Sequence, residues 1–175
     1  MRNILLAAAA ISVFAVPAFA QSGPDARGYG SLGYTHVEGD SATTGAVTGR
    51  LGVNLNRYLA VETEASVGVK DDDFTVAGVD GSIKHEWDAA GYVVGKYPVN
   101  DKLELFVRGG YGHTELKREI AGGNTDIGGD SWNYGVGANY YVDGVNGVRA
   151  DWTRRDFRDN AGEADAYSVS YIRRF

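Results

Sequence analysis

The sequence contains no cysteine and only three prolines among its 175 residues. Without cysteine, no disulfide can stabilise a small domain, so its stability must come from packing or from its surroundings. After the first twenty residues, no apolar run approaches the roughly 20 residues that a transmembrane helix requires. The net charge of −6 argues against nucleic acid as a partner, because surfaces that bind nucleic acid are basic.

The first twenty residues have the pattern of a secretory signal peptide. Arg2 supplies a charged start, an apolar run extends from Ile4 to Val16, and a small-residue motif ends at Ala20. The run is too short for an anchoring helix, and no cysteine follows it to mark a lipoprotein. We therefore predict a signal peptide over residues 1–20, cleaved after Ala20, and one domain over residues 21–175.

The rest of the chain is rich in glycine and tyrosine, and its apolar residues alternate with polar ones. A period of two is typical of β-strands, since successive side chains point to opposite faces of a sheet. The alternation is clearest from Tyr58 to Val69, where aliphatic side chains alternate with small or charged ones such as Glu62 and Glu64. If such a sheet lies in a membrane it must close, because an open edge would leave backbone groups unpaired in lipid.

This alternation predicts eight strands. Long polar loops follow the odd-numbered strands and short turns follow the even-numbered ones, a pattern typical of outer-membrane barrels with long loops outside and short turns in the periplasm. The predicted fold is all-β, an eight-stranded antiparallel up-and-down transmembrane β-barrel. A soluble barrel would also alternate, but with its apolar face inward. The predicted strands are residues 29–37, 46–55, 58–69, 82–97, 102–116, 131–142, 147–157 and 166–175.

The positions of the aromatic residues favour the membrane barrel over the soluble one. On the aliphatic faces they gather near the two ends of the strands, as in the aromatic girdles at the two membrane interfaces. Those near the loop ends are Tyr34, Trp87, Tyr111, Trp132, Tyr134, Trp152 and Tyr167, and those near the turn ends are Tyr97, Tyr140 and Phe175.

The last strand ends the chain on an aromatic residue. This ending resembles the C-terminal strand of bacterial outer-membrane barrels, whose terminal Phe and alternating aromatics form a signal for the barrel-assembly machinery. With the opening Gly-Tyr-Gly-Ser-Leu-Gly-Tyr at residues 28–34, it makes the chain similar to the small porin-like barrels, a family that includes the membrane domain of OmpA. The residues that match the assembly signal are Tyr167, Val169, Tyr171 and Phe175.

The resemblance implies a protein of the Gram-negative cell envelope, exported through the periplasm to the outer membrane. Its expected partners are outer-membrane lipid, lipopolysaccharide and the assembly machinery, and no cofactor is expected. Because the last predicted strand is the eighth, the peptidoglycan-binding domain of OmpA is not carried over to this chain.

Charged residues of both signs lie on the face opposite the aliphatic one. Side chains fill the interior of a narrow eight-stranded barrel, and buried charges need partners. We predict that the carboxylates of residues 62, 64, 86 and 104 pair with the bases at 50, 84, 108, 149 and 155. These pairs are either structural or a gate over a thin water path, and the structural role is favoured. The predicted lumen network is Arg50, Glu62, Glu64, Lys84, Glu86, Glu104, Arg108, Arg149, Asp151 and Arg155.

Catalytic and metal-binding motifs are weak. The histidines are His36, His85 and His113, and the last, in His-Thr-Glu, does not reproduce the His-x-Ser arrangement of the lipid A deacylases. The acidic run 71–73 lacks the ligand spacing of a calcium loop, so no metal site is expected. The expected function is non-enzymatic, either envelope integrity or a narrow porin-like passage. The alternatives are a surface adhesin that binds through its loops and a lipid-modifying enzyme.

Overall fold

A computed structural model describes residues 28–39, 43–70, 72–76, 79–120, 123–158 and 162–175. The predicted signal peptide and its cleavage position lie outside these residues. The described chain forms nine strands, which are β1 (Gly28–Gly39), β2 (Thr43–Asn54), β3 (Leu59–Lys70), β4 (Asp72–Val76), β5 (Val79–Pro98), β6 (Leu103–Ile120), β7 (Gly123–Tyr141), β8 (Asn146–Phe157) and β9 (Glu163–Arg174).

Eight of these strands close into an antiparallel barrel. Each strand except β4 pairs with its neighbours in the order β3-β2-β1-β9-β8-β7-β6-β5, and the β3–β5 pairing completes the ring. The predicted eight-stranded up-and-down barrel is therefore confirmed. The remaining strand, β4, pairs with the start of β5 and is not part of the ring.

The outer face of the barrel is apolar, and most of the side chains buried inside it are polar or charged. On β3 the side chains of Val61 and Val67 are 41% and 52% exposed, whereas those of Glu62 and Glu64 are 2% and 4% exposed. The twelve-residue strands are about 40 Å long, and at the usual tilt of about 45° they match the hydrocarbon thickness of a bilayer. Among the described residues, no helix is long and apolar enough to span a membrane.

Two predicted loops are partly strand. The predicted loop at residues 70–81 contains β4, and most of the predicted loop at 117–130 belongs to the ends of β6 and β7. The antiparallel pairing of β6 with β7 continues without interruption to the pair Ile120–Gly123. The prediction ended these strands early because glycine has low strand propensity, whereas pairing with a neighbouring strand overrides that propensity.

Side-chain acceptors shape the short turns. Between β5 and β6, Asn100 accepts hydrogen bonds from the backbone N–H groups of Lys102 and Leu103, both at 2.9 Å. Between β7 and β8, Asp143 accepts from the N–H groups of Asn146 and Val145, and these bonds lower the pKa of its carboxyl group to about 2. The carboxylate therefore stabilises this turn down to strongly acidic pH, since that contribution is lost only as the pH falls through the lowered pKa.

The seam between the first and last strands is tight. Gly28 and Phe175 exchange two backbone hydrogen bonds, of 3.0 and 2.9 Å. Further along the seam, a Cβ atom added to Gly33 would lie 2.1 Å from the carbonyl oxygen of Val169 and 2.4 Å from the Cα of Ser170. This backbone contact leaves no room for a side chain, so β1 needs glycine where it meets β9.

The substitution Gly33→Ala tests this seam. We expect it to destabilise the barrel by about 1–3 kcal/mol, because backbone atoms must shift to admit the methyl group. The matched control is Gly91→Ala, since a Cβ at Gly91 meets no atom within 4 Å. The measurement is the urea midpoint of the barrel refolded in detergent, and equal midpoints for the two variants would contradict the expectation.

Candidate functional site

Ten charged side chains are buried inside the barrel, each 9% exposed or less. Five are acids and five are bases, so the formal charges of these ten side chains balance. They lie on the inward-facing positions of β2, β3, β5, β6 and β8. The acids are Glu62, Glu64, Asp88, Glu104 and Asp151, and the bases are Arg50, Lys96, Arg108, Arg149 and Arg155.

Glu62 on β3 accepts hydrogen bonds from three other strands. Arg149 of β8 donates two of them, from Nη1 at 2.6 Å and from Nη2 at 3.1 Å. Arg108 of β6 donates one at 3.2 Å, and the hydroxyl of Tyr29 on β1 donates another at 2.8 Å. This carboxylate therefore links opposite walls of the barrel through charge-assisted bonds, which are stronger than neutral ones.

Glu64 is the second acceptor on β3. Its Oε2 atom lies 2.6 Å from Arg50 Nε and 2.8 Å from Arg108 Nη1. Its Oε1 atom accepts a hydrogen bond of 3.3 Å from the hydroxyl of Tyr92. Arg108 thus bonds both glutamates, and its guanidinium also lies 4.4 Å from the centre of the Tyr92 ring.

Asp151 on β8 joins three guanidinium groups. Its Oδ2 atom accepts from Arg108 at 3.0 Å and from Arg50 at 3.3 Å, while Oδ1 accepts from Arg149 at 3.0 Å. The two glutamates and this aspartate therefore share three arginines in one continuous network. Each buried charge in this group has at least one opposite charge within hydrogen-bond distance, as burial requires.

Smaller groups flank the network on its loop side. Arg155 bonds Asp88 through both terminal nitrogens, at 3.0 and 3.3 Å. Its buried Nε has no hydrogen-bond partner in the described structure. A chain of hydroxyl groups continues from Arg50 around the wall, with separations of 2.6 to 3.2 Å, and its members are Ser168, Thr35, Thr48 and Ser66.

A separate cluster lies toward the short turns. Glu104 accepts from Lys96 at 3.0 Å, from Arg174 at 3.2 Å and from the amide of Asn139 at 2.9 Å. The predicted partners of Glu104 did not include Lys96 or Arg174. The prediction missed them because the pairing depends on which strands face each other across the lumen, and alternation along one strand does not contain that information.

The structure brings together most of the predicted lumen residues. Glu104 lies in the turn-side cluster, and the other seven whose side chains are described lie in or directly beside the central network. The side chains of Lys84 and Glu86 lie outside the described part. Sequence reasoning missed the hydroxyl groups of Tyr29 and Tyr92. Their inward strand position was the available signal, and Gly52 makes room for the ring of Tyr29. The functional role of the network stays a prediction.

The remaining predicted residues whose side chains are described lie on the outer surface. His113 contacts Asp130 at 2.8 Å, and His36 contacts Glu38 at 3.2 Å. The side chain of His85 lies outside the described part. Within the described ranges, no group of three or more His, Cys, Asp or Glu residues could hold a metal ion. The residues of the predicted assembly signal face outward, on β9 or just beyond its end, and they are Tyr167, Val169, Tyr171 and Phe175. Their recognition by the barrel-assembly machinery stays a prediction.

Comparison with known proteins gives a consistent result. Residues 6–175 match the family profile described as outer membrane protein beta-barrel domain. The fold is similar to that of Ail, the attachment invasion locus protein of Yersinia pestis, with a TM-score of 0.62 and 16% identity over 85% of this chain and 97% of Ail. Ail has also been solved in complex with the heparin analogue sucrose octasulfate.

Two further barrels are similar. OprG from Pseudomonas aeruginosa has a TM-score of 0.63 and 8% identity over 85% of this chain and 95% of its own. Neisserial surface protein A has a TM-score of 0.62 and 9% identity over 85% of this chain and 97% of its own. At these identities the similarity establishes the fold alone. No curated protein matches the chain significantly in sequence.

The substitution Glu62→Ala tests the central network. It leaves two buried guanidinium groups short of a partner, so we expect it to lower the free energy of unfolding by about 3–5 kcal/mol. The matched control is Glu163→Ala, which removes an exposed partner of Arg154 and should change stability little. Urea unfolding in detergent measures both variants, and a small effect of Glu62→Ala would show that the network does not stabilise the barrel.

Proposed function

Because the chain belongs to the outer membrane protein beta-barrel domain family, we propose that it serves the outer membrane as a closed, non-enzymatic barrel that contributes to envelope integrity. Membership of this family places the protein in the outer membrane. The proposal concerns what the barrel does in that membrane. It is supported by the network of paired charges that crosses the lumen.

The network supports a closed lumen rather than a narrow porin-like passage. An eight-stranded barrel has an interior only wide enough for its own side chains. Arg50 and Arg149, on β2 and β8, are 2% and 1% exposed and bond carboxylates of β3. An ion could pass only if these charge-assisted hydrogen bonds separated. The separated charges would then lack both a partner and water in the narrow lumen, which is energetically unfavourable.

The outward His113–Asp130 pair favours a non-enzymatic role over the lipid-modifying alternative. A hydrolase of the serine or cysteine type needs a nucleophile hydrogen-bonded to its base. In the described part of the chain, His113 bonds Asp130 and packs near Trp87, and no hydroxyl group is bonded to its ring. The pair therefore lacks the group that would attack an ester or amide.

Planar-bilayer recording tests the closed lumen. We expect the refolded wild-type barrel to be silent, and Arg108→Ala to produce small current steps, because the lost guanidinium bonds both glutamates of β3 and Asp151. The control is Arg57→Ala, in a short turn outside the lumen, which should stay silent. Reproducible steps from folded wild-type protein would support the porin-like passage instead.

A projecting sheet favours surface interaction as a second candidate function. The strands β5, β6 and β7 have 20, 18 and 19 residues, whereas the other five barrel strands have 12. An excess of about seven residues extends the sheet by roughly 25 Å beyond the barrel on its loop side. The net charge of −6 disfavours a sulfated ligand of the kind held in the Ail structure, and it favours a neutral or basic partner.

Shortening the projecting hairpin tests this candidate. Residues 117 and 126 are paired, so replacing residues 118–125 with Asn-Gly should close the hairpin with a tight turn and leave the barrel intact. If the sheet is an adhesive surface, cells that display the shortened barrel should attach less well than cells that display the wild type. Unchanged attachment by folded, displayed protein would exclude this hairpin as the adhesive element.

A further inference from the structure

A layer of apolar side chains crosses the lumen between the central network and the short turns. Its five members come from β1, β3, β5, β6 and β9, and each is 4% exposed or less. They pack together in one buried cluster. The interior of a membrane barrel is usually polar, so this apolar layer departs from the common pattern. The apolar layer consists of Tyr29, Ala60, Val94, Phe106 and Ile172.

The order of residues along two strands places the layer between two polar clusters. On β6, Phe106 is the inward residue between Glu104 of the turn-side cluster and Arg108 of the central network. On β5, Val94 is the inward residue between Lys96 of the turn-side cluster and a tyrosine that bonds the network. A solute that crosses the lumen from one cluster to the other must therefore pass the apolar layer.

Cations hold the aromatic rings of the layer from both sides. The guanidinium carbon of Arg149, in the central network, lies 4.2 Å from the centre of the Phe106 ring. On the turn side, Nζ of Lys96 lies 5.4 Å from the centre of the Tyr29 ring, whose hydroxyl bonds Glu62 of the network. A cation over the face of an aromatic ring is attracted to it, so these contacts fix the positions of the two rings.

Glycines let the two rings lie directly against the barrel wall. A Cβ atom added to Gly137 on β7 would lie 2.5 Å from Cζ of Phe106, and one added to Gly52 on β2 would overlap the ring of Tyr29. No space for a water molecule therefore remains between either ring and the glycine beneath it. The layer leaves no polar path along the wall at these two glycines.

An apolar constriction can stop ions without carrying any charge. A narrow apolar passage expels water, and a hydrated ion does not enter a passage that holds no water. We propose that the apolar layer is a second barrier, in series with the charge network, and that it limits the current through the lumen when the network is broken. The inference rests on the proposed closed lumen, and it assigns part of that closure to residues that carry no charge.

Planar-bilayer recording in the Arg108→Ala background tests the apolar layer. We expect added Phe106→Ala to enlarge the current steps about threefold, because an apolar constriction conducts more once water fills it. Val94→Thr should enlarge them as well, since threonine has nearly the size of valine but its hydroxyl group binds water. The matched control is Phe157→Ala, which removes a phenylalanine packed against a different apolar cluster at the loop end of β8 and should leave the steps unchanged.

Two results would overturn the proposal. One is a double variant, Arg108→Ala with Phe106→Ala, that conducts no more than Arg108→Ala. The other is an equal enlargement of the steps by Phe157→Ala, which would indicate a general loosening of the barrel. Heat-modifiable migration on a detergent gel confirms that each variant is folded, and Val94→Thr decides the question if Phe106→Ala does not fold.

A wild-type barrel that conducts would contradict the closed lumen, and the apolar layer is then tested in the wild-type background. Larger steps from Phe106→Ala or Val94→Thr would support the layer there, and unchanged steps from both variants would overturn it. The closed lumen and the apolar layer therefore fail by different measurements.

Discussion

The closure of the backbone hydrogen-bond ladder is the constraint on which the structure depends. Hydrocarbon offers no partner to a free N–H or C=O group, so a sheet can stand in a membrane only when its first and last strands meet. Here that seam joins β1 to β9, with Gly28 and Phe175 bonded at its end and Gly33 in backbone contact with Ser170. A side chain at Gly33 would oppose closure, because its Cβ would meet backbone atoms of β9.

Closing eight strands also determines what the lumen can hold. The ring is narrow, so long side chains from opposite walls meet at its centre. Charges brought there need partners, and Glu62, Glu64 and Asp151 share three arginines so that no charge in the group is isolated. The same geometry that makes the barrel stable in lipid thus makes it poorly suited to conduct, and it leaves the outer wall and the projecting sheet as surfaces for interaction.

The outer wall carries two kinds of polar cluster at its loop end. In one, Arg154 is neutralised by two acidic neighbours, and in the other the His113–Asp130 pair is surrounded by aromatic rings. Both clusters lie near the loop end, where ionisable groups on the outer wall of a barrel destabilise it less than they would at the midplane of the bilayer.

The sequence by itself determined which side chains face the lumen and which face the lipid, because a period of two assigns each residue to one face of the sheet wherever the alternation is regular. It also determined the closed barrel and the mainly polar lumen. Only the tertiary structure decided which charged side chains pair with each other. Glu62 meets Arg149 across 87 residues, and Glu104 meets Lys96 and Arg174, through barrel closure and strand register. It also decided the length of β6 and β7, because pairing with a neighbouring strand outweighs the low strand propensity of glycine.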